Sequence, residues 1–415
     1  MLVFHVDANS AYLSWTAAAL LEEGYDVDIR DIPAVISGDP KNRHGIILAK
    51  SIPAKKYDIK TGESLLEATR KCPELLVVPP DYDLYLSCSE AMYKLLYEYT
   101  PVIQRYSIDE CFCDMTACRK AMEDLVSIAF EIKERVKAEL GFTVNIGIGK
   151  NKLCAKMAGE LKKPDMIHTL WKEEIPFKLW PLPVRELFMV GRATENKLHK
   201  FNIKTIGDIA NASPLFLKSL LKSHGLLIYD YANGNDDSPV MVSDEIMRKG
   251  IGNGLTYPYD LETKDEIHAE LLAICERVGE RLRKYAKAAK IVKVHIRNSN
   301  LSGYSHQMRL NGTIDTTDEI YHISKKLIDE MWKGEPIRAM SISVSELISE
   351  DQIQLSMFDS KYKEKNEKLD KAVDEIRKTF GERSIFRGRF ANTEIDPVQG
   401  RVNDGNYIMM GGFKS

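Results

Sequence analysis

The chain has 415 residues, 44% hydrophobic and 29% charged, and its 58 basic and 61 acidic side chains leave a formal net charge of −3. That length is too great for one ordinary core and predicts three or four domains, and the composition excludes disorder over any great length. The longest apolar stretches, such as 16–21, are far too short to cross a bilayer, and seven cysteines without a Cys-x-x-Cys pair argue against a disulfide framework or a zinc site.

The N-terminus starts directly with a strand-like run, Leu2-Val3-Phe4-His5-Val6, and lacks the basic-then-apolar pattern of a signal peptide. With the cysteine usage this predicts a reducing cytoplasm and no membrane partner. Asp7 closes that run, and residues 8–20 read as a turn into a helix rich in Ala and Leu. Residues 35–40 and 45–49 read as a strand, a turn and a hairpin partner, followed by a helix end and loop at 55–62. A helix is expected over 82–99, stopped by Pro101, then a strand pair over 102–115 with Asp109-Glu110 near its bend. An amphipathic helix over 122–140 and an alternating strand over 144–148 complete an α+β sheet domain with an insertion. Cys111 and Cys113 alternate along their strand and read as small packed hydrophobes.

From about 166 to 235 the pattern turns helical, with 204–209 as a helix-turn-helix-like connection. Residues 233–239, Asn-Gly-Asn-Asp-Asp-Ser-Pro, are the clearest linker in the chain. A second α+β domain follows, with strands at 292–296 and 340–344 and a helix at 317–331. From 277 to 297 basic residues run almost unopposed by acids, and Arg277, Arg281 and Lys284 fall on one side of a helix; phosphate binding explains this better than a solvated face. A charged helical segment spans 361–378, ahead of a Gly-rich end.

The acids carry the chemistry. Asp7 and Asp109-Glu110 each sit where a strand gives way to a turn. Brought together with a backbone carbonyl they form an all-oxygen site suited to two Mg²⁺ ions and to phosphoryl chemistry. Taken alone, they read equally well as a turn cap and a solvated pair.

Three motifs in order and spacing, at 6–12, 106–114 and 145–156, resemble those of Y-family, lesion-bypass DNA polymerases, and the chain looks closer to the bacterial UmuC-like branch than to the DinB-like one. The likeness covers about residues 1–358. It implies a right-hand, α+β multidomain polymerase: palm at 1–20 and 79–165, fingers at 21–78, helical thumb at 166–235, linker at 236–244, little finger at 245–350, and a clamp-binding motif and tail at 351–415.

The resemblance makes Asp7, Asp109 and Glu110 ligands of two Mg²⁺ ions, with the Ala8 carbonyl as a fourth. It makes Tyr12 a steric gate against the ribose 2′-hydroxyl and Lys152 and Lys55 contacts to the incoming deoxynucleoside triphosphate. Where many relatives carry an aromatic residue, a tyrosine and an arginine, this chain has Ala11, Ile52 and Lys55. The thumb turn at 188–194 keeps one glycine, beside which Arg192 is expected on primer-template DNA with Arg277, Arg281 and Lys284. Gln354-Leu355-Ser356-Met357-Phe358 resembles a bacterial sliding-clamp pentapeptide, and an accessory subunit is a further partner that some relatives require. The implied function is translesion DNA synthesis at low fidelity without proofreading. A nucleotide cyclase would use the same acids, and a catalytically silent DNA- and clamp-binding repair protein would keep only the basic helix and the pentapeptide.

Overall fold

All six residues of strand β1 (Val3–Ala8) are buried, although an exposed strand would alternate apolar and polar positions. The reason is that both faces of its sheet are covered. The computed structural model describes residues 1–43, 45–118, 124–242, 248–349 and 361–391, with 393 and 395. Contacts divide the chain into two units, one built on Met1–Ser37 and Ile46–Ile246, the other on Gly38–Gly45 and Met247–Val402.

In the first unit, β2 (Ala34–Ser37), β3 (Ile47–Lys50) and β4 (Leu76–Val78) form a small sheet in the order β3-β2-β4. The main sheet combines β1 with β5 (Ile103–Arg105), β6 (Glu110–Asp114), β7 (Val144–Gly149) and β8 (Ile167–Leu170), in the order β5-β6-β1-β7-β8. Side-chain parity splits β1 cleanly. Phe4, Val6 and Ala8 join a core with helices Ala11–Glu22, Tyr82–Tyr97 and Leu125–Leu140, which also takes Cys111 and Cys113. Val3 and Phe112 point the other way, into a core with helix Lys152–Glu160 and the helices beyond it. Asp7, in phase with Val3 and His5, lies on this second face.

Helix Lys152–Glu160 lies directly on β7 because β7 carries two glycines. A Cβ on Gly147 would stand 1.9 Å from the Ala155 carbonyl oxygen, and one on Gly149 2.6 Å from the Ala155 nitrogen. The segment expected to be wholly helical opens with β8, a strand of the main sheet. Its helices then have conventional starts: Thr205 and Asp208 form a capping box, and Ser213 caps a helix with Pro214 at its first position.

The second unit is a four-stranded antiparallel sheet of β9 (Gly250–Leu261), β10 (Lys287–Asn298), β11 (Gly303–Ile314) and β12 (Ile337–Ser349), ordered β11-β10-β12-β9. Helices Lys264–Lys284 and Thr317–Met331 share one core with Val292, Val294, Ile296, Ile342 and Val344 of the sheet. The expected basic helix therefore ends at Lys284, and Lys290, Lys293 and Arg297 belong to a strand. Helix Lys361–Phe380 also folds here, docked by ion pairs of Arg283 with Asp370 at 3.0 Å and Asp374 at 2.7 Å and of Arg377 with Glu276 at 2.8 Å; beyond the helix, Arg387 meets the same Glu276 at 2.9 Å. The pentapeptide 354–358 lies outside the described residues.

Candidate active site

The chain turns sharply after β1, at Ser10, whose φ of 49° is left-handed. Asn9 holds that turn from several sides. Its backbone N–H donates to the Thr143 carbonyl at 2.9 Å, its side-chain oxygen accepts from Thr143 Oγ1 at 3.0 Å and from the Asp165 N–H at 2.8 Å, and its amide donates to Asn145 Oδ1 at 3.1 Å. So fixed, β1 and β6 pair in a register that sets Asp7 directly opposite Glu110. The Ala8 N–H donates to the Asp109 carbonyl at 2.9 Å, which brings the third acid to the same strand end. Asp109 accepts from Ser107 Oγ at 2.5 Å.

Asp7, Ala8, Asp109 and Glu110 line a cavity of about 550 Å³ with Tyr12, Ile52, Lys55 and Lys163. Its electrostatics are uneven. Burial pushes the Asp7 carboxyl up to about 6, with Lys163 and His5 drawing it back. Burial also raises Asp109, countered by the Ser107 hydroxyl. Burial opposes ionisation of Glu110 as well, yet His5 and Lys156 outweigh it and hold this carboxyl far below the usual range. His5 Nε2 lies 2.9 Å from Glu110 Oε2, Lys156 Nζ binds the same oxygen, and Lys163 Nζ binds Asp7 Oδ2 and, at 2.9 Å, Glu160.

Among the described residues, no three His, Cys, Asp or Glu side chains are already gathered as a metal-holding group. The donor set nonetheless fits Mg²⁺: the strand ends offer only carboxylate and carbonyl oxygens, the ligands that a hard cation prefers.

Tyr12 sits in the first turn of helix Ala11–Glu22 and walls the cavity. Its ring stacks on Tyr85 with centroids 4.4 Å apart and planes at 11°, and Tyr82 meets it edge-on at 6.4 Å. Thr16 ties the pair, donating to the Tyr12 carbonyl at 2.7 Å and lying 3.1 Å from the Tyr85 hydroxyl. The ring is thus packed by two tyrosines. Ala11 is buried and Ile52 exposed, and both line the cavity.

Lys152 is not where the motif resemblance puts it. Its side chain is buried away from the cavity, donates to Gln104 Oε1 at 3.1 Å, and lies 6.0 Å from the Phe112 ring centroid. Burial lowers its pKa, with Asp236 pulling it back. The lysine that reaches the cavity is Lys163. The dibasic pair before Pro164 was the signal for it, at the turn that follows the motif helix.

The basic helix also departs from expectation. Arg277 is buried, paired with Glu280 at 2.8 Å and Glu382 at 3.3 Å, and Arg281 donates to the Gly252 carbonyl at 2.9 Å. Glu382 and Gly252 lie 105 and 29 residues from their arginines, a proximity that sequence spacing cannot show. Lys284 is exposed, as is Arg192 at the start of helix Arg192–His199. The cationic surface of this unit is instead the sheet face opposite the helices. There Lys293 pairs with Ser343 and Gln307, His295 with Ser341 and Ser305, and Arg297 with Ala339 and Gly303, while Gly252 and Gly254 continue the same rows. Small residues leave that face flat.

Comparison with known proteins bears on both units. Residues 6–160 match the model of the impB/mucB/samB family, and residues 248–357 that of the impB/mucB/samB family C-terminal domain. A Clostridium acetobutylicum protein named DNA polymerase IV is 50% identical over 387 residues, 93% of this chain and 97% of that protein. One of the same name from Acetivibrio thermocellus is 36% identical over 93% of this chain and 96% of its own length. Among solved structures, a Y-family DNA polymerase chimera, Dbh-Dpo4(243-245)-Dbh, superposes with a TM-score of 0.73 at 22% identity, covering 84% of this chain and all of its own. DinB from Sulfolobus solfataricus gives 0.55 at 22% identity over the same shares.

Proposed function

Starting from a chain that belongs to the impB/mucB/samB family and is a Y-family DNA polymerase, we propose that it extends primers across damaged templates by two-metal nucleotidyl transfer, at low fidelity and without proofreading. The observation that carries this reading is the convergence of Asp7, Asp109 and Glu110 at one end of the cavity that Tyr12 walls.

Two Mg²⁺ ions, when bound, would supply the charge that activates the primer 3′-hydroxyl and neutralises the triphosphate. Asp7, Asp109, Glu110 and the Ala8 carbonyl are the groups to hold them. His5 and Lys156 keep Glu110 ionised and oriented. Lys163 and Lys55, both in the cavity lining, are the cations for the triphosphate; Lys163 takes the role expected of Lys152. Tyr12 selects deoxyribonucleotides by leaving no room for a 2′-hydroxyl.

The domain reading follows: palm at 1–20 and 79–165, fingers at 21–78, thumb beyond β8, and the second unit as little finger. Arg192 and Lys284 remain proposed contacts to primer-template DNA. The flat face bearing Lys293 and Arg297 is the better grip, because its contacts would go to phosphates and ignore base sequence. One relative by fold is described as a Dbh ternary complex. The names of the relatives support a polymerase IV-like, DinB-side branch over the UmuC-like one. The pentapeptide 354–358 is proposed for the sliding clamp on its sequence alone, cytoplasmic residence on the cysteine usage, and an accessory subunit on the family likeness.

Primer extension on undamaged and abasic templates tests the reading. Asp109→Ala is expected to fold and to incorporate nothing; extension by the purified variant at the wild-type rate would sink it.

A further inference from the structure

Lys163 reaches the cavity from a turn, and two buried asparagines hold that turn. Asn145 is 0% exposed and stands directly opposite Asp7 in the β1–β7 ladder. Its amide donates to the Gly159 carbonyl at 2.9 Å and to the Lys162 carbonyl at 2.7 Å. Its oxygen accepts from the Asn9 amide at 3.1 Å and from the Met166 N–H at 3.3 Å. Gly159 lies in the last turn of helix Lys152–Glu160, where carbonyls have no partner within the helix. Asn9 adds a hold of its own, since its oxygen accepts from the Asp165 N–H at 2.8 Å, and Lys133 grips the Asp165 carboxylate at 2.9 Å. A buried amide with both donors and its oxygen engaged fixes its surroundings, because any shift strands a polar group away from water.

We propose that Asn145 is a positioning residue that joins the two halves of the nucleotide site. Through Asn9 it holds the turn that follows Asp7, and through Lys162 and Met166 it holds the turn that carries Lys163. A lysine side chain is a flexible stem, so its reach into the cavity is only as well defined as the backbone beneath it. Here that backbone is fixed to β7, next to the strand that carries Asp7, and the spacing between the acid and the cation follows from one buried amide. Asn145 itself touches no nucleotide. Its removal therefore acts through Lys163 and matters only while Lys163 is there to be placed. The kinetic consequence rests on the polymerase reading; the hold on the turn does not.

Asn145→Ala removes the amide. Amide hydrogen exchange read by mass spectrometry is expected to quicken about tenfold over 162–166, the loss of roughly one hydrogen bond. In primer extension, KM for the deoxynucleotide is expected to rise about fivefold, on the scale of one hydrogen bond, with kcat changed less than KM. The same substitution in a Lys163→Met background separates positioning from general loosening, because coupled residues give non-additive effects. There KM is expected to rise by less than about twofold further. The full rise in that background means that Asn145 acts elsewhere in the site, on Asp7 opposite it, and overturns the proposal. Unchanged exchange over 162–166 overturns it as well, whether or not the chain polymerises DNA. Should Asn145→Ala not fold, Asn145→Thr, which suits a strand and leaves a hydroxyl in place of the amide, is read by the same two measurements.

Discussion

Asp7 and Glu110 stand directly opposite each other in the β1–β6 ladder, and each is met by a lysine from a different stretch of chain, Lys163 and Lys156. Two acids this close repel, and the lysines relieve that repulsion. The two cations differ in reach: Lys163 lines the cavity, whereas Lys156 is packed against the Tyr106 and Phe188 rings at 5.2 and 5.7 Å. Lys163→Met is therefore expected to raise KM for the incoming nucleotide about tenfold, the worth of one charge-assisted hydrogen bond, with a smaller effect on kcat. Steady-state primer extension at varied nucleotide concentration measures the split.

Tyr12→Ala should open the cavity wall. Ribonucleotide discrimination is expected to fall by roughly ten- to a hundredfold, the scale on which a small pocket change separates close analogues. Loss of the Tyr85 stack costs about 1 kcal/mol of stability, so the fold survives. Competing ribo- and deoxyribonucleotide incorporation gives the ratio; an unchanged ratio rules out the gate.

The acids, Tyr12 and the α+β plan were legible because each rests on local pattern: a buried strand run, a turn, an acidic pair. What sequence missed is non-local. Lys152 sits in a motif that implies a ligand contact, yet its side chain is buried on Gln104, 48 residues earlier in the chain. Arg277, Arg281 and Lys284 look like a phosphate face because two of the partners that turn Arg277 and Arg281 inward, Glu382 and the Gly252 carbonyl, lie 105 and 29 residues away. β11 escaped notice because its exposed face interrupts the apolar alternation of Tyr304, Met308 and Leu310.

The ion pairs of Arg283, Arg377 and Arg387 make 361–391 part of the second unit. Arg283 is mostly buried between two carboxylates, so Arg283→Ala leaves acids without their cation and is expected to cost about 3 kcal/mol. Truncation before Lys361 exposes the Arg277 and Arg283 face and should destabilise the unit comparably. Thermal unfolding followed by circular dichroism compares the two, and a midpoint unchanged in both removes the docking role.

Glu270 predicts a pH dependence away from the active site. It is 6% exposed in helix Lys264–Lys284, and burial alone pushes its carboxyl up to about 7. A raised carboxyl favours the folded state while protonated; that stability is fully present below the unfolded value near 4.5 and is lost as pH rises through about 7. Glu270→Gln stays neutral throughout. It should raise the thermal midpoint by several degrees at pH 8, on the scale of about 3 kcal/mol, and change little at pH 4. Equal gains at both values would show that the carboxyl does not titrate as its burial implies.

Salt dependence separates the two surfaces of the second unit proposed to meet DNA. Lys293 and Arg297 project from the flat face, where Ser341, Ser343 and the β9 glycines leave phosphates free to approach. Each phosphate contact releases about one counterion, so Lys293→Ala and Arg297→Ala should each lower the slope of log K against log salt by about 0.9. Arg277, turned inward onto Glu280 and Glu382, releases none. Arg277→Ala is expected to lower the thermal midpoint and leave the slope intact. Fluorescence anisotropy of a labelled primer-template across a salt series reads all three variants, and a slope reduced only by Arg277→Ala would return the grip to the helix.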